Sequence, residues 1–147
     1  MTSRLTQLRQ AGQAPWLDFV DRSFLNGGGL RHLIDVEGLT GVTSNPAIFE
    51  KAMGNGDAYD QGFVDFLAQG DAAVERIYEH EAVADIIAAA AELRSVYDAT
   101  DGRDGYVSLE VSPYIADDAE LTVREAHRLW AAVRVPCPSV CYGRRLG

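Results

Sequence analysis

The chain has 147 residues, of which 47% are hydrophobic and 24% charged, and its formal net charge is −9. This length and composition fit one globular domain with a single core. An acidic chain repels phosphate backbones and anionic lipid headgroups, so nucleic acid and membrane surfaces are unfavourable partners, whereas a small phosphorylated substrate is not excluded. The first residues are polar, no apolar run is long enough to span a membrane, and two cysteines alone indicate no disulfide framework. We therefore expect a cytoplasmic protein.

The first predicted strand, PWLDFV, is apolar and aromatic apart from one embedded carboxylate, Asp18, and we expect it to be buried. A flexible turn of three glycines follows, and then a short amphipathic helix that ends at Gly38. Strands that alternate with helices in this way are typical of βα units around a parallel sheet.

The second predicted strand, LTGV, ends in three small polar residues, Thr43, Ser44 and Asn45. A proline and the helical stretch AIFEKAM come directly after them. Two hydroxyls and an amide at the end of a buried strand indicate a polar ligand held at the carboxyl end of that strand.

Two helical regions separate the second strand from the third. Asp57 is expected to cap the first of them, and Asp71 the second, which runs to about Ala99. The apolar stripe of the second region slips in phase near residues 81–83, which predicts two helices joined at that point.

The third predicted strand, YVSLEVSP, is the clearest, because apolar and polar residues alternate along it, and it carries Glu110. An amphipathic helix with an acidic first turn is predicted over residues 117–133. Residues 134–147, RVPCPSVCYGRRLG, show neither strand nor helix periodicity. We therefore divide the chain into a regular part, 1–133, and an aberrant tail, 134–147.

Polar groups thus stand at the ends of three predicted strands: Asp18, the trio Thr43, Ser44 and Asn45, and Glu110. In a parallel barrel the carboxyl ends of adjacent strands line one mouth, where active sites lie. Two carboxylates and an amide that converge there suit proton transfer on a polyhydroxylated substrate. The alternative is that the carboxylates are structural hydrogen-bonding groups or are simply solvated.

The segments WLDFVDRS, GLTGVTSNPAIFEKA and GRDGYVSLEVSPYIADDAE resemble transaldolases, in the subfamily also found fused to a phosphoglucose isomerase, over about residues 14–132. The resemblance implies an α/β fold, a (β/α)8 TIM barrel of which this chain supplies about strands 1–3 with their helices. It implies an enzyme of the pentose phosphate pathway that moves a dihydroxyacetone unit through a lysine Schiff base, without metal or organic cofactor. The implied substrates are sugar phosphates: sedoheptulose 7-phosphate, fructose 6-phosphate, erythrose 4-phosphate and glyceraldehyde 3-phosphate.

The resemblance also implies roles for individual residues. Asp18 matches the strand-1 aspartate that exchanges a proton with the substrate hydroxyl during carbon–carbon cleavage. Glu110 matches the strand-3 glutamate that acts through a water molecule when the imine forms and is hydrolysed. Asn45 matches the asparagine that hydrogen-bonds the dihydroxyacetone part, and Thr43 and Ser44 lie beside it as substrate-binding residues.

The sequence departs from the family after Val133. The family's Schiff-base lysine lies on strand 4, whereas the single lysine here is Lys51, predicted on a helix after strand 2. We expect a truncated product, by a frameshift or otherwise, that is inactive alone. Its exposed sheet edge predicts marginal stability, aggregation, or rescue by self-association. The alternatives are a split enzyme completed by a second chain, and a non-catalytic pseudo-enzyme half that binds a partner chain as an interaction module.

Overall fold

The computed structural model describes residues 3–70 and 73–134, together with the backbone of residues 138–141. Within them one sheet has four parallel strands in the order β1-β2-β3-β4. The strands are β1 (Trp16–Asp18), β2 (Gly41–Thr43), β3 (Tyr106–Glu110) and β4 (Pro138–Cys141). The α-helices are α1 (Arg4–Gln10), α2 (Arg22–Asn26), α3 (Gly29–His32), α4 (Pro46–Met53), α5 (Asp60–Leu67), α6 (Val74–Ala99) and α7 (Ala119–Val133). A π-helical segment (Leu33–Glu37) extends α3, and a short 3-10 helix (Pro113–Ile115) follows β3.

The order of the strands in the sheet is their order in the chain. Each of the three neighbouring pairs is parallel, and helices lie in every connection between them. In a (β/α)8 barrel, consecutive parallel strands are joined through helices in the same way. The fold is therefore mixed α/β with an open parallel sheet, consistent with part of such a barrel.

The fourth strand corrects the expectation of about three strands and of a tail without regular structure. Pro138–Cys141 pairs in parallel register with Val107–Glu110 of β3. A proline disrupts the alternating pattern by which strands are recognised, yet it is tolerated as the first residue of a strand, where its missing N–H costs little. Residues 135–137 and 142–147 of the tail lie outside the described residues, and the division at Val133 stays a prediction.

The long helix α6 is continuous, so the prediction of two helices joined near residues 81–83 is wrong. Glu81 and Asp85 occupy core-facing positions of this helix, and each residue is only 2% exposed. They are accommodated there because Arg22 of α2 forms an ion pair with both. The buried face of α6 therefore includes two charged residues. The spacing of apolar residues alone does not identify these positions as buried.

The helix α5 begins without the cap that the sequence predicted. Tyr59 occupies the N-cap position and makes no capping hydrogen bond through its side chain. Asp57 contributes only its backbone carbonyl, which accepts from the amide of Asp60 at 3.2 Å. Asp71, the predicted cap of the next helix, lies outside the described residues.

The core lies between the helices and one face of the sheet. Val42, Val107 and Leu109 face it from the strands and are at most 5% exposed, and α6 packs against β3. The opposite face is open in β1, where Trp16 is 37% exposed and Asp18 is also exposed. The expectation that β1 is buried is therefore wrong for the face that carries Trp16 and Asp18. Asp18, on this exposed face, is the residue at the carboxyl end of β1.

A polar edge at the carboxyl ends of the strands

Asp18 and Thr43 end neighbouring strands and stand side by side. Asp18 is the last residue of β1, Thr43 is the last residue of β2, and the two are register partners. The Thr43 hydroxyl donates a hydrogen bond of 2.7 Å from Oγ1 to Oδ1 of Asp18. This bond fixes the orientation of an exposed carboxylate at the carboxyl end of the sheet, so a solvent-accessible proton acceptor is held in one place.

Glu110 ends β3 and belongs to the same polar edge. The pairing of Val42 with Val107 places Thr43 beside Ser108, and Glu110 lies two residues beyond Ser108 on the same face. Partial desolvation raises the pKa of Glu110, and the negative charge of Asp18 raises it further. Two carboxylates at one edge, of which Glu110 has a raised pKa, are suited to accept and return protons.

The influence of Asp18 on Glu110 gives a direct prediction. Replacing Asp18 with Asn removes a negative charge while it keeps the shape of the side chain, so the pKa of Glu110 should fall towards its ordinary range. The titration can be followed by carboxyl carbon NMR in the unaltered chain and in the Asp18→Asn variant. A Glu110 titration that is identical in the two proteins would show that the carboxylates do not share one site.

Tyr78 is a member of this neighbourhood that the sequence did not reveal. It lies half-buried on α6, with its ring edge-on to Phe49 and the ring centroids 6.1 Å apart. Burial, followed by the charges of Glu110 and Glu79, raises the pKa of Tyr78 to about 12. The phenol is therefore neutral at neutral pH. Its place in the apolar stripe of α6 gives it the pattern of an ordinary core residue, so no sequence signal distinguishes it.

Asn45 lies at the start of α4 and has two separate functional groups. Its Oδ1 accepts from the backbone N–H of Ile48 at 3.0 Å and caps the helix. Its Nδ2 has no hydrogen-bond partner among residues 3–70 and 73–134, and the residue is half-buried. The cap therefore holds the side chain at the end of β2 and leaves an amide donor for a ligand.

Ser44 is buried, whereas its neighbours Thr43 and Asn45 are half-buried. It is 1% exposed, and its hydroxyl donates to the backbone carbonyl of Ser108 at 2.6 Å. This bond ties the end of β2 to β3 and occupies the hydroxyl donor. The structure thus brings Asp18, Thr43 and Glu110 to one edge but does not bring the Ser44 hydroxyl there, and substrate binding by Ser44 stays a prediction.

The only lysine of the chain lies on a helix. Lys51 is exposed in the last turn of α4, on a helix and not at a strand end. Within residues 3–70 and 73–134, no group of three His, Cys, Asp or Glu side chains could hold a metal ion. No helix in the same part of the chain combines the length and the apolar character needed to cross a bilayer. The described edge therefore offers proton-transfer and hydrogen-bonding groups.

Sequential parallel strands with polar side chains at their carboxyl ends define an α/β protein built from units of the barrel type. Comparison with known proteins narrows that class, because residues 15–141 match the family model described as Transaldolase/Fructose-6-phosphate aldolase. The chain belongs to this family, which confirms the resemblance seen in the sequence. The matched region extends beyond Val133 to Cys141, the last residue of β4.

Individual relatives agree with the family match. The chain is 49% identical to a transaldolase of Thermobifida fusca over 136 residues, which are 92% of this chain and 37% of that protein. It is 46% identical to transaldolase 2 of Streptomyces avermitilis, covering 88% of this chain and 34% of the relative. For transaldolase 2 of Nostoc punctiforme the identity is 39%, with 90% of this chain and 34% of the relative covered. The chain thus spans about a third of the length of the curated relatives that it matches.

Proposed function

We propose that this chain carries the proton-transfer part of a transaldolase-type active site. The observation that supports the proposal most strongly is the pairing of Asp18 with Thr43 at the carboxyl edge, together with the electrostatic influence of Asp18 on Glu110. An enzyme that breaks a carbon–carbon bond beside a hydroxyl needs a base for that hydroxyl and a second group that handles water. Burial and the charge of Asp18 raise the pKa of Glu110, which suits it to the second of these tasks.

In this proposal each polar residue has one task. Asp18, oriented by Thr43, takes the proton of the substrate hydroxyl as the carbon–carbon bond breaks and returns it in the reverse step. Glu110 moves protons through a water molecule while the imine forms and is hydrolysed, a task that its raised pKa favours. The Nδ2 group of Asn45 binds the dihydroxyacetone part. Ser44 acts as a positioning residue by holding β2 against β3.

The proposed substrates are the sugar phosphates of the family: sedoheptulose 7-phosphate and fructose 6-phosphate as donors, and erythrose 4-phosphate and glyceraldehyde 3-phosphate as acceptors. Their hydroxyls match the donors and acceptors at the strand ends. The proposed compartment is the cytoplasm, where such metabolites are free in solution. The net charge of −9 does not oppose this, because a local site decides the binding of a small anion.

We also propose that the 147 residues alone do not catalyse the transfer. Cleavage next to a ketone leaves an electron pair on carbon, and a protonated imine is the group that stabilises it in this chemistry. Such an imine needs a primary amine beside the strand ends. The one lysine side chain is instead exposed in the last turn of α4, on a helix and not at a strand end.

Borohydride trapping tests this part of the proposal. The chain is incubated with fructose 6-phosphate and sodium borohydride, and its mass is measured after digestion. We expect no adduct, whereas the Thermobifida fusca transaldolase, treated in parallel, should be labelled. The Lys51→Arg variant is the matched control, since it removes the amine and keeps the charge. A substrate-dependent adduct on Lys51 that accompanies turnover would contradict the proposed inactivity.

A further inference from the structure

Among the residues that the structure describes, the sheet has two outer edges, formed by β1 on one side and β4 on the other. All of its strands are parallel, so both edges have the same polarity. We propose that two copies of this chain close an eight-stranded parallel barrel, in which β4 of each copy pairs with β1 of the other. This inference rests on the fold and not on the proposed chemistry, so either can fail without the other.

The number and order of the strands determine this stoichiometry. A closed parallel barrel of this type has eight strands, and each copy supplies four in sequential order. A two-fold axis along the barrel axis makes the two junctions identical, with β4 parallel to the β1 strand that it meets. The two unpaired edges that the described strands leave in each copy are then paired, and a barrel closed by four strands from each copy contains two copies.

In this barrel the exposed face of β1 becomes part of the interior. Trp16 lies on that face, with its ring directly over Gly41, where an added Cβ would stand 2.3 Å from the nearest ring atom. Its indole Nε1 donates to Oδ1 of Asp104 at 3.2 Å. Trp16, which is 37% exposed on this face of β1, would be stabilised if a second sheet covered it.

The mass of the unaltered chain is the first test. Sedimentation equilibrium over about 1 to 100 µM spans the range in which a dimer of moderate affinity dissociates. We expect the mass to rise to twice the 16.0 kDa of the single chain and to remain there. A mass of one chain at every concentration would overturn the proposal, as would open-ended growth beyond two copies.

Tryptophan accessibility shows which surface the two copies share. The chain has two tryptophans, so Trp130→Phe leaves Trp16 as the only reporter. We expect acrylamide quenching of Trp16 to decrease as the dimer forms, and its emission to shift to shorter wavelength. The matched variant Trp16→Phe reports Trp130 instead, which is 50% exposed on α7. A dimer in which the quenching of Trp16 is unchanged would overturn the closed barrel. The mass of the unaltered chain tests dimer formation independently of both variants.

Discussion

Replacing Arg22 with alanine is expected to destabilise the fold by about 3–5 kcal/mol, because it leaves two buried carboxylates without their cation. The Nε of Arg22 donates to Oδ1 of Asp85 at 2.8 Å, and its Nη1 donates to Oε2 of Glu81 at 2.5 Å. Each of the two acidic residues is 2% exposed. The Tyr59 hydroxyl donates to the second oxygen of Asp85 at 2.6 Å, so the same cluster ties α5 to α2 and α6.

The loss should depend on pH in a defined direction. Burial raises the pKa of Asp85, and the hydrogen bonds from Tyr59 and Arg22 oppose that shift. A carboxyl group whose pKa is higher in the folded chain than in the unfolded chain reduces stability as pH rises through the folded value. Removing Arg22 raises the pKa of Asp85 further. The variant should therefore lose most stability at neutral pH and less in mild acid, where Asp85 holds a proton.

Urea unfolding of the unaltered chain and of the Arg22→Ala variant, at neutral and at mildly acidic pH, measures the loss of stability and its pH dependence. Arg94→Ala is the matched control, because Arg94 pairs with Asp98 at 2.8 Å while the two side chains are 51% and 55% exposed. Such a surface pair contributes at most about 1 kcal/mol. Equal losses in the Arg22→Ala and Arg94→Ala variants would show that the buried cluster does not stabilise the fold.

Replacing Gly105 with alanine is expected to lower the free energy of unfolding by about 3 kcal/mol or more, because the strain of a positive φ and a steric clash both contribute. The residue has a φ of +90°, a conformation that side chains of L-residues rarely adopt. An added Cβ would lie 2.4 Å from the backbone N and 2.7 Å from the Cα of Tyr97. These are backbone atoms of α6, which cannot rotate away as a side chain can. The amide of Gly105 also donates to the Thr40 carbonyl at 2.9 Å, so a shift of this turn would disturb the entry to β3.

The Gly56→Ala variant separates the cost of a positive φ from the cost of the steric clash with Tyr97. Gly56 has a φ of +78°, but no atom lies within 4 Å of the position of its added Cβ. This variant should lose only the conformational term, about 1 kcal/mol. Thermal unfolding of the two variants beside the unaltered chain gives the comparison. Similar decreases in Tm would mean that contact with Tyr97 does not govern the cost at Gly105.

The sequence predicted the parts of the fold that depend on local patterns. The first three strands were predicted from short apolar runs that contain Asp18 and Glu110, and in the structure β1 and β3 end at these two carboxylates. Asn45 is followed by a proline, a local sign of a helix start, and α4 does begin at that proline. The polar edge could therefore be proposed from the sequence, since parallel strands bring their carboxyl ends together.

The features that sequence reasoning missed depend on partners distant in the chain. Glu81 interrupts the apolar stripe of α6, and only its ion pair with Arg22 explains why the helix continues. The Ser44 hydroxyl is engaged by the carbonyl of Ser108, a contact that no local pattern encodes. The strand that begins at Pro138 is recognisable only from its pairing with β3. In each case tertiary contacts decide the role of a residue whose local context suggests another.

A chimera tests most directly the central claim that Asp18 belongs to a transaldolase-type active site. In it, residues 15–133 of this chain replace the matching segment of the Thermobifida fusca transaldolase, which supplies the rest of that protein. We expect the chimera to transfer dihydroxyacetone between sugar phosphates, and Asp18→Asn to lower its kcat by about 10²–10⁴-fold, the usual contribution of a positioned base. A folded chimera that is inactive, or one whose kcat is unchanged by Asp18→Asn, would contradict the account.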